Sequence, residues 1–197
     1  FHDTDTDDSV VASAGTIQTG SGGDAGTYLV IPQGITEKTR IGRKCTIKKI
    51  FWKYAVSLPE QDAQATPQRG DIVRVIIYQD KQANGATAAV LDILETATWD
   101  SFRNLANTGR FHILMDKNHV INYAGLASDG AGLVSQGNAE RNFKWAKRCT
   151  IPIEWDNSAA TGVLTSIRSN NICALFISKN GVAALEGVMR FRFSDGS

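Results

Sequence analysis

The sequence predicts an all-β chain, a two-sheet sandwich or jelly roll of roughly seven or eight short strands with one short helix in a long connection. Three observations carry this reading. A two-residue repeat separates the two sides of DIVRVIIYQD (71–80), with Val73, Val75 and Ile77 on one side and Arg74 on the other, of RFHILM (110–115), with Phe111, Ile113 and Met115 against Arg110, His112 and Leu114, and of GVMRFRF (187–193), with Met189, Phe191 and Phe193 against Arg190 and Arg192, the period of a half-buried strand. ICALFIS (172–178) is continuously apolar between turn signals, as a strand buried on both faces would be. Helical spacing is found in one stretch, where Val90, Leu91, Ile93, Leu94 and Ala97 recur at three- and four-residue steps.

Taken in order, residues 1–34 are acidic and then Gly-rich, and read as extended chain and loop with short strands at Thr16–Thr19 and Tyr28–Ile31. Pro32 stops the second of these, since it cannot donate to a central ladder. RKCTIKKIFWKYAV (43–56) is a β-branched and aromatic run threaded with lysines, hence a strand. PEQDAQATPQR (59–69) is a polar loop with two prolines. In 71–80, Val73, Val75 and Ile77 point inward, and Ile72, Arg74, Ile76 and Tyr78 take the other face. The helical connection and the strand near 110–115 follow, then a loop rich in Gly, Ser and Ala at 123–140. NFKWAKRCTIPIEW (142–155) predicts two strands split near Lys147 and Arg148, and Asn180-Gly181 supplies the turn before the last strand.

A chain of 197 residues with 42% hydrophobic content is long enough for one core, and residues 1–197 read as a single domain. With a formal charge of +1, any basic binding surface must be local. Cys45, Cys149 and Cys173 are far apart in strand-like runs, which suits buried free thiols rather than a disulfide framework. No apolar run reaches membrane-spanning length, no N-x-Ser/Thr sequon occurs and no signal peptide is visible, so folding in a reducing compartment is expected. The start at Phe1 rather than methionine predicts a segment upstream.

Catalytic patterns are missing: there is no G-x-S-x-G elbow, H-E-x-x-H, P-loop or dinucleotide fingerprint, so an enzyme is not expected. His112 and His119 lack metal-ligand spacing. Asp3, Asp5 and Asp7 alternate in an extended stretch. They read as a solvated acidic segment or, as the alternative, a calcium site made of hard oxygen donors. Arg190 and Arg192 share the non-core face of the last strand, and Arg74 the non-core face of 71–80; a solvated outer face is the plain reading of both. Lys44, Lys48, Lys49 and Lys53 on one strand, and Lys144, Lys147 and Arg148 on another, read in the same way as a solvated outer face or, as the alternative for all of these sets, a local basic binding surface. Trp52, Tyr54 and Trp145 are either core aromatics or stacking partners for bases.

The run VLDILETATWDSFRNLANTGRFHILMDK (90–117) resembles the helix, polar loop and strand of the coat protein of satellite tobacco necrosis virus, and RGDIVRVIIYQDKQANG (69–85) resembles the strand before them. IGRKCTIKKIFWKY (41–54), IPIEW (151–155), ICALFIS and MRFRFSD (189–195) are similar to capsid proteins of small circular single-stranded DNA viruses. The Gly-rich start and the loop at 123–140 depart from these patterns. The resemblance implies a single eight-stranded jelly roll of two packed four-stranded antiparallel sheets. Copies of it, about sixty by symmetry, would form a T=1 icosahedral virion around a genome that is more readily single-stranded DNA than RNA. Such proteins fold in the host cytoplasm or nucleus and carry a basic arm, expected here upstream of Phe1. In the jelly-roll order, 71–80 and the last strand would lie side by side, so that Arg74, Arg190 and Arg192 converge on nucleic acid together with Lys144 and Arg148. Trp99 and Phe102 become interface anchors between subunits, or pack the helical connection onto the sandwich. Neither a membrane partner nor a cofactor other than calcium is implied.

The competing class is a non-viral, lectin-like jelly roll that binds carbohydrate. Trp99, Asp100 and Asn104 would be its platform.

Overall fold

A computed structural model describes residues 2–11, 29–58, 70–123, 126–128, 133–135, 139–156, 162–181 and 183–195, with the backbone alone for 2–11, 126–128 and 133–135. The chain is mostly strand, in two larger antiparallel sheets. The strands are β1 (His2–Val11), β2 (Lys44–Leu58), β3 (Gly70–Asp80), β4 (Phe111–Asn122), β5 (Leu126–Ser128), β6 (Leu133–Ser135), β7 (Ala139–Trp155), β8 (Ile167–Ser169), β9 (Asn171–Ser178) and β10 (Ala184–Asp195). One sheet has the order β1-β10-β2-β7-β8 and the other β4-β3-β9; β5 and β6 pair as a small hairpin.

The alternation read from the sequence becomes the main core. From β2, Ile50, Trp52, Tyr54 and Val56 face Val73, Val75 and Ile77 of β3 and Ala174 and Phe176 of β9, joined by Met189, Phe191 and Phe193 of β10. Trp52 stacks on Tyr54 with ring centroids 3.9 Å apart and meets Phe176 of the opposite sheet at 6.0 Å. Gly187 makes room for this pair: a Cβ there would stand 2.8 Å from the Lys53 carbonyl oxygen and the Tyr54 Cβ, and 2.9 Å from the Trp52 Nε1. His119 of β4 crosses the gap between the sheets, its Nε2 2.9 Å from the Tyr54 hydroxyl and its ring 4.0 Å from that of Phe143 on β7.

A second cluster lies on the far side of β3. Ile76, Tyr78, Cys173, Leu175 and Ile177 pack against Ala88, Ile93, Leu94 and Phe111, so the long connection between β3 and β4 roofs its own sheet. Its two ends are clamped together. Arg110 donates from Nε and Nη2 to the two carboxylate oxygens of Asp80 at 2.9 and 2.8 Å, and the Lys81 N–H donates to the Arg110 carbonyl at 3.1 Å. The β9–β10 turn is held by Asp71, whose carboxylate accepts from the backbone N–H groups of Asn180 and Ala183 and from the Ser178 hydroxyl. Gly181 in that turn has φ +73°, the left-handed region that favours glycine.

Several expectations need correction. The acidic start is a strand: β1 pairs along its whole length with β10, whose ladder supplies what the polar sequence does not advertise. The predicted helix is one turn, α1 (Val90–Ile93), because Leu94 is already extended (φ −119°, ψ 154°) and bridges to Arg103. So short a helix has little stability of its own, and burying Ile93 and Leu94 together decides the backbone. β7 is continuous through Lys147 and Arg148, which pair with Ile50 and Lys49; the irregularity sits on β2 as a bulge between Ile47 and Lys49. The loop at 123–140 contains the β5–β6 hairpin. Leu29–Ile31 carries no strand, and Thr16–Thr19 lies outside the described residues. The thiols of Cys45, Cys149 and Cys173 are free; burial pushes those of Cys45 and Cys173 up to about 12, so they stay protonated and unreactive. Among the described residues no helix is long and apolar enough to cross a membrane.

Candidate nucleic-acid interface

Every second residue of β10, β2 and β7 points away from the core, and the register aligns these outward residues in rows across the sheet. One row runs Asp3, Arg192, Lys49, Arg148; the next Asp5, Arg190, Phe51, Ala146; the third Asp7, Val188, Lys53, Lys144. Neighbouring strands lie about 4.8 Å apart and like-facing residues about 7 Å apart along each strand. Six cations therefore share a patch roughly 10 Å by 14 Å. Arg190, Arg192, Lys53, Lys144 and Arg148 are exposed and Lys49 is half-buried. The patch is bounded on one side by β1, where the ladder sets Asp5 opposite Arg190 and Asp3 opposite Arg192. Lys49, Lys53, Lys144 and Arg148 stand farther from that acidic strand. Among the described residues, none of these four is in an ion pair.

At the middle of the patch is Phe51, half-buried and outside both core clusters. The Lys49 ammonium lies 4.1 Å from its ring centroid. Ala146, the residue opposite on β7, leaves little bulk beside the ring.

Arg74 is not part of this surface, which corrects the expected convergence with Arg190 and Arg192. β3 belongs to the other sheet, and the face of β3 that looks solvated in the sequence is covered by the connection above it. Arg74 is buried there. Its Nε and Nη2 donate to the two oxygens of Asp116 at 2.9 Å each, and its Nη1 to the carbonyls of Ser101 at 2.5 Å and Trp99 at 3.3 Å. Arg103 reaches the same carboxylate at 3.2 Å. Burial pushes the Asp116 carboxyl up, but the hydrogen bonds and charges of Arg74 and Arg103 outweigh it and hold Asp116 below the usual carboxylate range.

The expected interface anchors separate as well. Trp99 is partly buried against the second cluster, with the Lys179 ammonium 5.6 Å from its ring, so it packs the connection onto the sheet. Phe102 is 80% exposed, and Leu105 and Leu91 of the same connection are 75% and 57% exposed. Asn104, a candidate for the sugar platform, is committed to the connection itself: Nδ2 donates to the Leu91 carbonyl at 2.8 Å and Oδ1 accepts from the Ala106 N–H at 3.0 Å.

The side chains of Asp3, Asp5 and Asp7 lie outside the described residues. Their places on the ladder, beside Arg192, Arg190 and Val188, give two of the three an arginine neighbour. Among the described residues no cluster of His, Cys, Asp and Glu is built to hold a metal ion.

The candidate site thus keeps four of the five cations expected on nucleic acid, Lys144, Arg148, Arg190 and Arg192, takes in Lys49 and Lys53, which the sequence left between two readings, and adds Phe51. The signal for these three lay in KKIFWKY: past the bulge, Lys49, Phe51 and Lys53 alternate with Ile50, Trp52 and Tyr54. Composition could not show that three strands would pool their outward cations. The sequence matches no protein-family model and no curated protein.

Proposed function

We propose that this protein is a viral capsid subunit, a single jelly roll that self-assembles into a small icosahedral shell and binds the enclosed genome through its basic sheet face without reading sequence. The observation that carries the reading is the nesting of its strand pairs. A jelly roll is a long hairpin wrapped into two sheets, so outer strands pair with outer and inner with inner. Here β1 pairs β10, β2 pairs β7 and β3 pairs β4, all antiparallel, while β10–β2 and β3–β9 join these pairs into sheets. One strand of the eight is left to assign.

Chemistry supports the same reading. Rows of lysine and arginine suit phosphate contacts, which position a polyanion but carry no sequence information. The apolar side chains of Phe102, Leu105 and Leu91 stand exposed on the connection that covers the other sheet, where they can be buried between copies. With the basic face turned inward, one surface holds the genome and the others hold the shell. The native home is then the virion, after folding in the host cytoplasm or nucleus. Its partners are some sixty copies of itself and, foremost, single-stranded DNA.

Sizing the purified chain, followed by negative-stain microscopy, tests this directly. The expected result is closed particles of megadalton mass containing nucleic acid. A chain that stays monomeric at high concentration across pH and salt would overturn it.

A further inference from the structure

We infer that Phe51 is a stacking platform for an unpaired base, so that the basic face takes single-stranded nucleic acid in preference to duplex. The inference rests on the proposed packaging role and specifies its ligand. The main core already has its aromatics in Trp52, Tyr54, Phe176, Phe191 and Phe193, and Phe51 belongs to neither apolar cluster. It sits instead at the centre of the cationic rows. Lys49 and Lys53 flank it along β2, and Arg190 stands opposite on β10. On the β7 side Ala146 leaves space for a planar group to reach the ring.

A phosphate polymer gripped by those cations would hold its bases within reach of the ring. In a duplex the base faces are hidden in the stack, whereas a single strand presents a π-face at every nucleotide. A neutral sugar polymer would gain from the aromatic but not from six cations, and would strip water from them. Lys49 already shows the electronic preference of this ring, resting its ammonium on the ring face. A base would replace the ammonium there and release it to a phosphate.

The test measures binding of labelled oligothymidine and of a blunt duplex of equal length to the full chain, kept below its assembly concentration, over a range of salt. Wild type should bind the single strand more tightly. Phe51→Ala should weaken oligothymidine about five- to hundredfold. It should leave the duplex nearly unchanged and keep the salt slope, because no cation is removed. Phe51→Trp should keep or raise single-strand affinity, and a halogenated-uracil oligonucleotide should photo-crosslink to the peptide containing Phe51. Matching melting temperatures for the variants exclude misfolding.

Unchanged oligothymidine affinity in Phe51→Ala, or equal reductions for both ligands, overturns the inference. So does a variant that alters particle size but not oligonucleotide binding, which would make Phe51 a contact between copies. If wild type binds neither ligand at low salt, the packaging role fails as well. If charge-removing variants weaken binding while Phe51→Ala does not, the packaging role stands and the stacking platform falls.

Discussion

Arg74 and Asp116 form a two-pronged ion pair between neighbouring strands, both hydrogen bonds 2.9 Å long, beneath the connection that links those strands. The pair explains how an arginine on an alternating strand is kept from solvent, and it fixes the connection through the carbonyls of Ser101 and Trp99.

Breaking this pair should unfold the chain more readily without touching nucleic-acid binding. Asp116→Asn leaves a buried guanidinium short of its counter-charge and should cost roughly 3 kcal/mol. Replacing both partners, Arg74→Met with Asp116→Leu, should recover part of that stability. Denaturant melts of the single and double variants measure both. Because Asp116 has a depressed value in the folded state, its contribution is present above the ordinary carboxylate range and disappears as pH falls through the folded value.

His119 sets a second acid sensitivity at milder pH. Burial, with a smaller push from Lys117, lowers its value below 6.5, so the folded chain holds it neutral between Tyr54 and Phe143. The unfolded chain binds the proton first. Stability is therefore complete above about pH 6.5 and falls as the pH drops toward the folded value. In His119→Gln the slope of melting temperature between about pH 7 and pH 5 should be shallower than in wild type; equal slopes would show that other groups carry it.

The exposed apolar side chains should matter for assembly and not for folding. Phe102→Asp combined with Leu105→Asp should leave the melt of the subunit within about 0.5 kcal/mol of wild type while abolishing particles in sizing experiments. Particles that persist in this variant would move the subunit interface elsewhere.

Charge removal on the sheet face should lower the nucleic-acid content of particles. Changing Lys49, Lys144 and Arg148 together to Gln removes cations that lie away from β1, and should flatten the salt dependence of binding by about one unit for each phosphate that is no longer neutralised. The absorbance ratio of purified particles gives the packaging readout. Arg74→Gln is the control: it should fall in stability and keep the salt slope.

Gly187→Ala should destabilise the sandwich by about 1 to 3 kcal/mol, since the added methyl meets the backbone of β2 and the Trp52 indole within 2.9 Å. A thermal melt reads the effect, and a neutral outcome would mean that the Trp52–Tyr54 stack can shift.

By itself the sequence determined several of the strands and the side of each that meets the main core: Val73, Val75 and Ile77 on β3, and Met189, Phe191 and Phe193 on β10. Burial of an apolar stripe needs no more than the two-residue repeat of the pleat, which is local. It also contained β9, whose unbroken apolar run is buried throughout. What only the tertiary structure decided is the fate of the opposite sides. Arg74 and Arg190 have the same alternation, yet one is roofed by a connection whose apolar residues come from positions 88–99, and the other is exposed on a sheet built from β1, β10, β2, β7 and β8. Whether an outward cation becomes a buried ion pair or part of a binding face depends on which distant segment lies over it and which strands stand beside it. Those are long-range pairings, and no period within one strand encodes them. The same holds for β1, whose acidic residues have no strand signal of their own and are ordered by the ladder of β10.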